Sequence, residues 1–387
     1  MKLKNECAVC EKKLLEEIFS LPKLPLTGRF SRKPMTKMPS GINQTLLYCA
    51  SCGHIQLAHQ VEPEVLYDDT YYFRTSASTK AKAGTEFFLS SLTQILGERN
   101  FNCALDVGCN DLYLLERLKG CTKVRVGIDP IWKKKKTTSN DIMVIGGTVE
   151  EIDLKTVLPQ APELIVCRHT LEHIAQAKQV LEKLFSAAKS GAVFCFEVPG
   201  FDVLLERFRF DQVFHEHLNY FSLAAFQRLI EEVGGEYLGH RENRHDWGAL
   251  FIAFRKKKAP TRAKTKSRYA LKEIQQRYTV FQNFMRTTAD TLERLHGEVY
   301  GFGAAQMLPV LAYHLKTDFS QFKSVLDDDP AKEGLFYWNL PLEIQSSGEV
   351  KLFDASIVLT ALDNAQPILS KLMQNRPKNI IVPMLMI

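Results

Sequence analysis

The sequence predicts an α/β fold with a parallel sheet, followed by a second, smaller lobe of the same class. Apolar strand-like runs alternate with helical stretches between about residues 80 and 255, and this alternation implies right-handed crossovers and a parallel sheet. Two strand–glycine–helix units, at 101–116 and 298–315, open the two lobes. The length of 387 residues also favours two or three domains.

The stretch 101–116 organises the first lobe. It predicts a buried strand from Cys103 to Val107, a tight turn at Gly108, and a helix that begins near Asn110 or Asp111. Asn and Asp are favoured at helix N-caps because their side chains accept the otherwise unpaired first N–H groups. Glycine at the turn lets the backbone come close to a ligand.

A second strand, at 123–129, ends in Asp129, whose carboxylate can bind ribose hydroxyls. The unit lacks the GxGxxG pattern that grips a diphosphate, which disfavours NAD and favours S-adenosylmethionine (SAM), since SAM has a ribose and no phosphate. We expect SAM to bind across Asp106–Asn110, with Glu150 near the adenine edge. His169 is expected in the same region, at the carboxyl end of the fourth predicted strand, which begins at residue 163. The alternative is a strand–turn–helix of an unrelated α/β domain.

Two CxxC pairs, Cys7–Cys10 and Cys49–Cys52, are separated by thirty-eight residues. Each pair places two thiolates on one turn, and two pairs supply the tetrahedral set that Zn²⁺ prefers. Four ligands complete the coordination shell, so we predict a structural rather than a catalytic zinc. The alternative is two reduced, unligated pairs, because disulfides are disfavoured in a chain whose N-terminus shows no export signal.

The segment 212–222 contains His215-Glu216-His217, and three interpretations fit it. Metal binding is weakly supported, because helical zinc motifs space their histidines four apart and these are two apart. A polar surface loop is the second interpretation. General acid–base chemistry is the third, since histidine titrates near neutral pH and a neighbouring carboxylate can orient it.

Three further segments have open interpretations. Tyr71, Tyr72 and Phe73 form either a packed aromatic cluster or a loop that folds over a ligand. The run Arg255–Arg268 carries eight basic residues and no acidic one, and is either a solvated linker or a patch that faces a diphosphate. In the second lobe, the glycines of 301–303 indicate either a nucleotide site or close packing. A long helix is predicted over 271–295, between the basic run and these glycines.

Composition excludes several classes of protein. An apolar fraction of 45% and a charged fraction of 24% are typical of soluble globular proteins. No apolar run approaches the roughly 20 residues of a membrane span, so we expect a cytoplasmic protein without a membrane partner. The formal charge of +6 comes from the basic run at 255–268, and the rest of the chain has no excess of positive charge. This uneven distribution argues against a generally basic nucleic-acid-binding protein.

These features, in this order, resemble the sugar-nucleotide C-methyltransferase family. The motifs that carry the resemblance are the two CxxC pairs, LPKLPLTGRF (21–30), LDVGCND (105–111), HEHLNYFS (215–222) and GFGAA (301–305). The resemblance covers essentially the whole chain. It implies a zinc-binding domain at 1–66, a class I SAM-methyltransferase domain with a Rossmann-like core at 67–255, a basic linker and long helix at 256–295, and a Rossmann-like nucleotide-sugar-binding lobe at 296–387.

Members of that family transfer the methyl group of SAM to a carbon beside a keto group of a nucleotide-linked deoxysugar. The resemblance implies that His217 is the general base and that Glu216 supports it, with His173 as the next candidate. Tyr72, or less favourably Tyr71, is expected to touch the sugar. His215 is expected at the substrate, because alternation along an extended segment can place it on the same face as His217.

The resemblance also implies that the C-terminal lobe holds the nucleotide. Gly301, Gly303 and the turn at Asp327 are the expected contacts, because the N-terminus of the helix that follows the glycines can attract a diphosphate.

The sequence departs from the family pattern at several positions. Leu112 stands where glycine is usual in the SAM turn, and Phe214 stands where a tyrosine often precedes His-Glu-His. The segment GAAQM (303–307) lacks the Lys-Gly that commonly follows GAA. O- or N-methylation of a saccharide or related small molecule, and a non-catalytic relative, are therefore the alternative functions. The sequence leaves the sugar, the nucleotide and the choice between monomer and homodimer open.

Overall fold

The computed structural model describes residues 2–66, 74–133, 138–139, 141–245, 248–257 and 268–384. The predicted ligand-facing tyrosines, Tyr71 and Tyr72, lie outside the described residues. The strands are β1 (Lys2–Leu3), β2 (Leu15–Leu24), β3 (Phe30–Ser31), β4 (Ile42–Cys49), β5 (Ile55–Leu57), β6 (His59–Gln60), β7 (Phe101–Val107), β8 (Thr122–Ile128), β9 (Thr138–Ser139), β10 (Ile142–Ile145), β11 (Leu164–Arg168), β12 (Val193–Pro199), β13 (Asn219–Tyr220), β14 (Gly235–Asn243), β15 (Ala249–Lys256), β16 (Val299–Phe302), β17 (Val325–Asp327), β18 (Phe336–Tyr337), β19 (Ile344–Ser346), β20 (Ser356–Leu359) and β21 (Asn379–Ile381).

The helices are α1 (Pro63–Leu66), α2 (Thr79–Leu96), α3 (Tyr113–Arg117), α4 (Leu154–Val157), α5 (Ala177–Ala187), α6 (Phe201–Glu206), α7 (Leu223–Glu232), α8 (Leu271–Glu293), α9 (Leu308–Leu315) and α10 (Ala365–Asn375). The long helix predicted over 271–295 is therefore confirmed as α8. No helix among the described residues combines the length and the hydropathy that a membrane span requires.

The chain folds into two compact units. The first comprises Met1–Glu17, Leu47–Val203 and Glu216–Ala270, and the second comprises Ile18–Leu46, Leu204–His215 and Leu271–Ile387. Residues 18–46 and 204–215, which we predicted within the first two domains, therefore belong to the same unit as the C-terminal lobe. The three boundaries between the four predicted segments remain a prediction about the order of domains along the sequence.

The first unit is built on an eight-stranded sheet of order β14-β15-β12-β11-β7-β8-β10-β9. The neighbours from β12 to β10 pair in parallel, as the alternating pattern predicts, and every residue of β12 is buried. Strand β14 pairs with β15 on its outer side, antiparallel and with an irregular register. Strand β14 escaped prediction because its residues are mostly half-buried and show no clear apolar alternation.

The helix after the first glycine turn begins later than predicted. Asn110 and Asp111 do not cap it; α3 begins at Tyr113, and the residue at its N-cap is Leu112, in a left-handed conformation with φ of 71°. The Asn110 side chain instead accepts the N–H of Asp111, at 2.8 Å. A left-handed residue favours glycine, which explains why glycine is usual at this position in the family that the sequence resembles.

The second unit contains a five-stranded sheet of order β19-β17-β16-β20-β21, and all of its neighbours pair in parallel. This sheet confirms the α/β class of the predicted C-terminal lobe. Strand β16 ends at Phe302, Gly303 follows it, and α9 begins at Leu308. The second strand–glycine–helix unit is thus present where the sequence predicts it.

Candidate active site and zinc site

The four cysteines of the two CxxC pairs meet in one buried cluster. The Sγ atoms of Cys7 and Cys52 are 3.5 Å apart, those of Cys10 and Cys49 are 3.6 Å apart, and all four lie within 4.8 Å of one another. Tetrahedral ligands at a Zn–S distance of about 2.3 Å lie about 3.8 Å apart, whereas a disulfide needs about 2.05 Å. The four predicted ligands therefore fit a structural Zn²⁺.

Similar backbone turns hold the two pairs. The N–H of Glu11 donates to the carbonyl of Cys7 at 2.9 Å, and the N–H of Gly53 donates to the carbonyl of Cys49 at 2.8 Å. Glu11 and Gly53 both have a left-handed φ, of 57° and 73°. The N–H of Val9 points at the Cys7 Sγ, at 3.4 Å. Local hydrogen bonds therefore shape each pair into a turn that presents two sulfurs together.

The turn after β7 needs glycine for both its conformation and its packing. Gly108 has a φ of 79°, and a Cβ at this position would lie 2.0 Å from the Oγ1 of Thr170. The N–H groups of Gly108 and Cys109 both donate to the carbonyl of Ile128, at 2.8 and 3.2 Å. The turn therefore packs directly against the segment 168–173, which follows β11.

Asp129 follows β8 and anchors the same turn. Its Oδ2 accepts the N–H of Asn110 and its Oδ1 accepts the N–H of Ile131, both at 2.9 Å. A carboxylate offers about four lone-pair sites, so acceptor capacity remains for the hydroxyls of a ribose. Burial raises the pKa of Asp129, although the two N–H donors oppose the shift. The predicted ribose ligand therefore fits SAM.

The remaining predicted cofactor residues differ in their surroundings. Asp106 is buried in β7, and burial, together with the charge of Asp129, raises its pKa to about 8. Glu150 is exposed, and its main-chain carbonyl accepts the Lys183 Nζ at 2.8 Å. Contact of either residue with SAM stays a prediction.

A buried ionic cluster forms where β11 ends. Arg168 lies opposite Glu197 of β12, and its Nε donates to the Glu197 Oε1 at 2.7 Å. The chain then forms a 3₁₀ turn, Leu171–His173. Glu172 in this turn and Glu197 each keep only 1% of their surface exposed, so two carboxylates lie inside the unit.

His169 bridges the two buried carboxylates. Its Nε2 is 3.2 Å from the Glu197 Oε1, and its Nδ1 is 3.5 Å from the Glu172 Oε1. Burial alone would lower the pKa of His169, but the two carboxylates outweigh it and raise the pKa to about 9. His169 therefore carries a positive charge at neutral pH. Its predicted contact with SAM stays a prediction.

His173 and His217 come together beside this cluster. Their ring centroids are 4.8 Å apart in an edge-to-face arrangement. The Nδ1 of His173 donates to the carbonyl of Glu216 at 2.9 Å, and the N–H of Leu218 donates to the carbonyl of Glu172 at 2.8 Å. These bonds flank His217 on both sides, so the two segments present their imidazoles at one place.

The pKa of His217 is lowered well below its usual value, first by burial and then by the neighbouring imidazoles of His173 and His169, whose protonated forms would repel a second positive charge. Burial likewise lowers the pKa of His173. Both imidazoles are therefore neutral at neutral pH and can accept a proton.

The other residues of the HEHLNYFS motif have visible structural contacts. His215 is buried in the second unit, with its Nε2 3.1 Å from the carbonyl of Leu24. Asn219 accepts a hydrogen bond from His54 at 3.1 Å and donates to the carbonyl of Ile174 at 2.6 Å. Glu216 contributes its main-chain carbonyl to His173. The predicted roles of His215 at the substrate and of Glu216 as a support for His217 stay predictions.

Sequence reasoning missed Arg168, Glu172 and Glu197 as site residues. Glu197 did give a signal, because a lone charged residue inside the apolar strand VFCFEVP is rarely buried unless it is paired. Glu172 gave none, because His217, which is forty-five positions away in the sequence, meets it only after folding.

The predicted nucleotide contacts of the C-terminal lobe form a second glycine turn. Gly303 has a φ of 94°, and a Cβ there would lie 2.3 Å from the Cβ of Ala361. The Oδ2 of Asp327 accepts the N–H of Ala304 at 2.6 Å and lies 3.3 Å from the Lys332 Nζ. Gly301 lies in β16 two residues before Gly303. Nucleotide binding by this turn stays a prediction.

Comparison with known proteins bears on both sites. A family model described as "Methyltransferase domain" matches residues 78–238. The chain contains a methyltransferase domain. This domain implies SAM as the cofactor, and it includes the Gly108 turn, Asp129 and the histidine cluster. A second model, described as "Putative zinc binding domain", matches residues 7–67, which include all four clustered cysteines.

One relative is the C-methyltransferase NovU of Streptomyces niveus, 25% identical over 239 residues. The match covers 59% of this chain and 56% of NovU, so the chain spans little more than half the length of this relative.

Two solved structures are also similar in part. The N-methyltransferase NodS of Bradyrhizobium japonicum WM9, in complex with S-adenosylhomocysteine, is 16% identical, with a TM-score of 0.35 over 50% of this chain and 94% of NodS. The [4+2]-cyclase SpnF is 10% identical, with a TM-score of 0.33 over 46% of this chain and 81% of SpnF.

Proposed function

We propose that the protein is a SAM-dependent C-methyltransferase that acts on a nucleotide-linked keto sugar. The methyltransferase domain, the motifs that resemble the sugar-nucleotide family, and a relative named as a C-methyltransferase support this proposal. One observation carries it. The Gly108 turn packs against Thr170, and Thr170 lies within the segment that presents His173 beside His217. A cofactor turn and two neutral imidazoles are thus neighbours.

C-methylation requires a base. A carbon beside a ketone must lose a proton before it can attack an electrophilic methyl group, which SAM supplies when bound. In our proposal the proton moves from that carbon to an imidazole nitrogen of His217, and the electron pair left behind forms the new carbon–carbon bond to the methyl group. The methyl–sulfur bond would break in the same step, and its electron pair would stay on the sulfur of the departing S-adenosylhomocysteine. A positioned base contributes about 10²–10⁴-fold to the rate. Burial lowers the pKa of His217 and so leaves the imidazole unprotonated at neutral pH, while the same shift weakens it as a base.

The buried charges of the cluster support this role. In our proposal the positive charge of His169, held between Glu172 and Glu197, offsets the repulsion that these carboxylates exert on negative charge developing during proton removal. His173 is the second candidate base, since its Nδ1 is engaged by the Glu216 carbonyl and its Nε2 is left as the acceptor.

We further propose that the C-terminal lobe binds the nucleotide through Gly301, Gly303 and the turn at Asp327. The parallel sheet and the glycine turn before α9 support this assignment. Lys332 lies beside Asp327 and partly neutralises its carboxylate, which reduces its repulsion of a diphosphate.

Methyl transfer from SAM with a deuterated methyl group to a panel of nucleotide-linked keto sugars tests the proposal. We expect one deuterated methyl group in the product, bonded to ring carbon in the NMR spectrum. Matched nucleotide sugars without a keto group are the control, and they should stay unmodified. A methyl group on oxygen or nitrogen would support the alternative methyltransferase. SAM binding without transfer to any substrate would support a non-catalytic relative.

A further inference from the structure

We propose that Glu172, His173 and His217 form a second metal site, which takes a divalent transition-metal ion such as Zn²⁺ or Co²⁺. Each residue offers one ligand atom, and the three atoms lie within 4.8 Å of one another. The site is separate from the four cysteines. It differs from the metal interpretation of the His-Glu-His sequence, because its second histidine is His173 and its carboxylate is Glu172.

The backbone fixes the two histidine segments against each other. On one side of His217, the carbonyl of Glu216 accepts a hydrogen bond from the His173 Nδ1 at 2.9 Å. On the other side, the N–H of Leu218 donates to the carbonyl of Glu172 at 2.8 Å. Because the Nδ1 of His173 donates, its Nε2 carries the lone pair and lies toward Glu172, 3.9 Å from the Oε1. Metal-binding histidines commonly donate their other nitrogen to a carbonyl in this way, which orients the ring.

The surroundings of the Glu172 side chain favour a bound cation. Its side chain is 1% exposed, and neither of its carboxylate oxygens has a hydrogen-bond partner within the described part of the chain. Arg168 is engaged by Glu197 at 2.7 Å, and His169, whose Nδ1 is 3.5 Å from the Glu172 Oε1, shares its positive charge between Glu172 and Glu197. A buried carboxylate without hydrogen bonds is costly. The lone pair of the His173 Nε2 and an oxygen of Glu172 face each other across a gap that a metal ion can bridge.

The donor set selects the class of ion. Two imidazole nitrogens and one carboxylate oxygen suit Zn²⁺, Co²⁺, Ni²⁺ or Fe²⁺, whereas Mg²⁺ and Ca²⁺ prefer oxygen ligands only. Three protein ligands also leave at least one coordination position open. The cysteine cluster, with four soft ligands, leaves none. The two sites therefore differ in both chemistry and openness.

Occupancy of this site has a consequence for the proposed reaction. A metal ion would use the lone pair with which His217 accepts the proton, so metal binding and proton removal exclude each other. Excess Zn²⁺ should therefore inhibit methyl transfer, and a chelator should reverse the inhibition. This consequence rests on the proposed function, whereas metal binding itself does not.

Co²⁺ titration of the full-length protein tests the site directly. The protein is first treated with a mild chelator and checked for one retained zinc per chain. We expect one further equivalent of Co²⁺ to bind, with weak visible ligand-field bands and without the intense near-ultraviolet band of sulfur-to-cobalt charge transfer. Mg²⁺ in the same buffer should not displace it. If the zinc-loaded wild-type protein takes up no Co²⁺, or if its spectrum shows sulfur ligation only, the proposal is wrong.

Variants assign the ligands. Glu172→Gln keeps the shape and removes the charge, and it should weaken Co²⁺ binding by at least about 10-fold. His173→Gln should do the same, which keeps the test decisive if one variant fails to fold. Glu216→Gln is the matched control, because the substitution keeps the main-chain carbonyl that accepts from His173. The Co²⁺ affinity of this variant should equal that of the wild-type protein. A folded Glu172→Gln or His173→Gln variant with wild-type affinity would contradict the site, as would equal weakening by Glu216→Gln.

Discussion

The two glycine turns share a backbone design and differ in what surrounds them. Strand β7 lies between β8 and β11, and β16 lies between β17 and β20 in the same arrangement. In each turn an aspartate after or at the end of the next strand accepts two N–H groups: Asp129 those of Asn110 and Ile131, and Asp327 those of Ala304 and Asp329.

The differences lie in the flanking residues. The segment after β11 carries His169, Glu172 and His173, whereas the segment after β20 begins with Thr360-Ala361-Leu362. Asp327 has Lys332 at 3.3 Å. The buried Asp106, two residues before the first glycine, corresponds to Gly301 before the second. The glycine turn therefore indicates a shared backbone architecture. We attribute the proposed difference in function, catalysis beside the first turn and nucleotide binding at the second, to the adjoining segments.

Single substitutions of the two aspartates should distinguish the roles of the two turns most clearly. Asp129→Ala removes a charged acceptor for ribose hydroxyls and should weaken SAM binding by roughly 1.5–3 kcal/mol. Asp327→Ala, the matched control, should leave SAM affinity unchanged. Calorimetric titration of both variants with SAM measures the difference. Equal losses would show that the second turn takes part in SAM binding, and an unchanged Asp129→Ala would remove Asp129 from the site.

Asp106 should make the free energy of unfolding of the first unit depend on pH. Gly301, at the corresponding position before the second turn, has no titratable side chain and cannot have this effect. Its pKa is about 8 in the folded protein and near 3.8 when unperturbed. The folded state thus holds one more proton between these values, and the free energy of unfolding should fall as pH rises, by at most about 1.4 kcal/mol per pH unit.

Asp106→Asn should flatten this dependence. Denaturant unfolding of the SAM-free protein at several pH values, followed by a probe in the first unit, provides the measurement. A variant whose stability falls with pH as steeply as the wild type would mean that Asp106 is ionised in the folded state.

Substitution of Lys332 should have a smaller effect than the substitutions of Asp129 and Asp106. Lys332→Met leaves the Asp327 carboxylate uncompensated, and it should weaken nucleoside diphosphate binding by about 1 kcal/mol, less at high salt. SAM affinity should not change. Fluorescence titration with a nucleoside diphosphate at two salt concentrations checks this. Tighter binding in the variant would contradict a phosphate-facing role for the turn.

The sequence predicted the architecture of both turns because its signals are local. An apolar run, a glycine and an aspartate about twenty residues later identify β7, Gly108 and Asp129 without knowledge of any distant contact. The same holds for the cysteines, whose spacing shapes each pair. Even the expectation of a glycine at Leu112 had a physical basis, since that residue adopts a left-handed conformation.

The chemistry beside the first turn could not be predicted in full because it depends on contacts between distant segments. Glu172 meets His217 across forty-five positions, and Glu197 meets Arg168 through strand register. The division into units followed no local signal either, since residues 18–46 and 204–215 join the C-terminal lobe. Such pairings follow from the folded sheet and not from any spacing along the chain.

The proposed reaction requires His217 to remove a proton from the carbon that becomes methylated. Solvent deuterium exchange at that carbon, measured by NMR with S-adenosylhomocysteine in place of SAM, reports this step alone. The wild type should exchange the proton, and His217→Asn should keep its fold and its affinity for SAM while exchange slows by about 10²-fold or more. Exchange at the wild-type rate in His217→Asn would contradict the claim, and His173 would then be the residue to test.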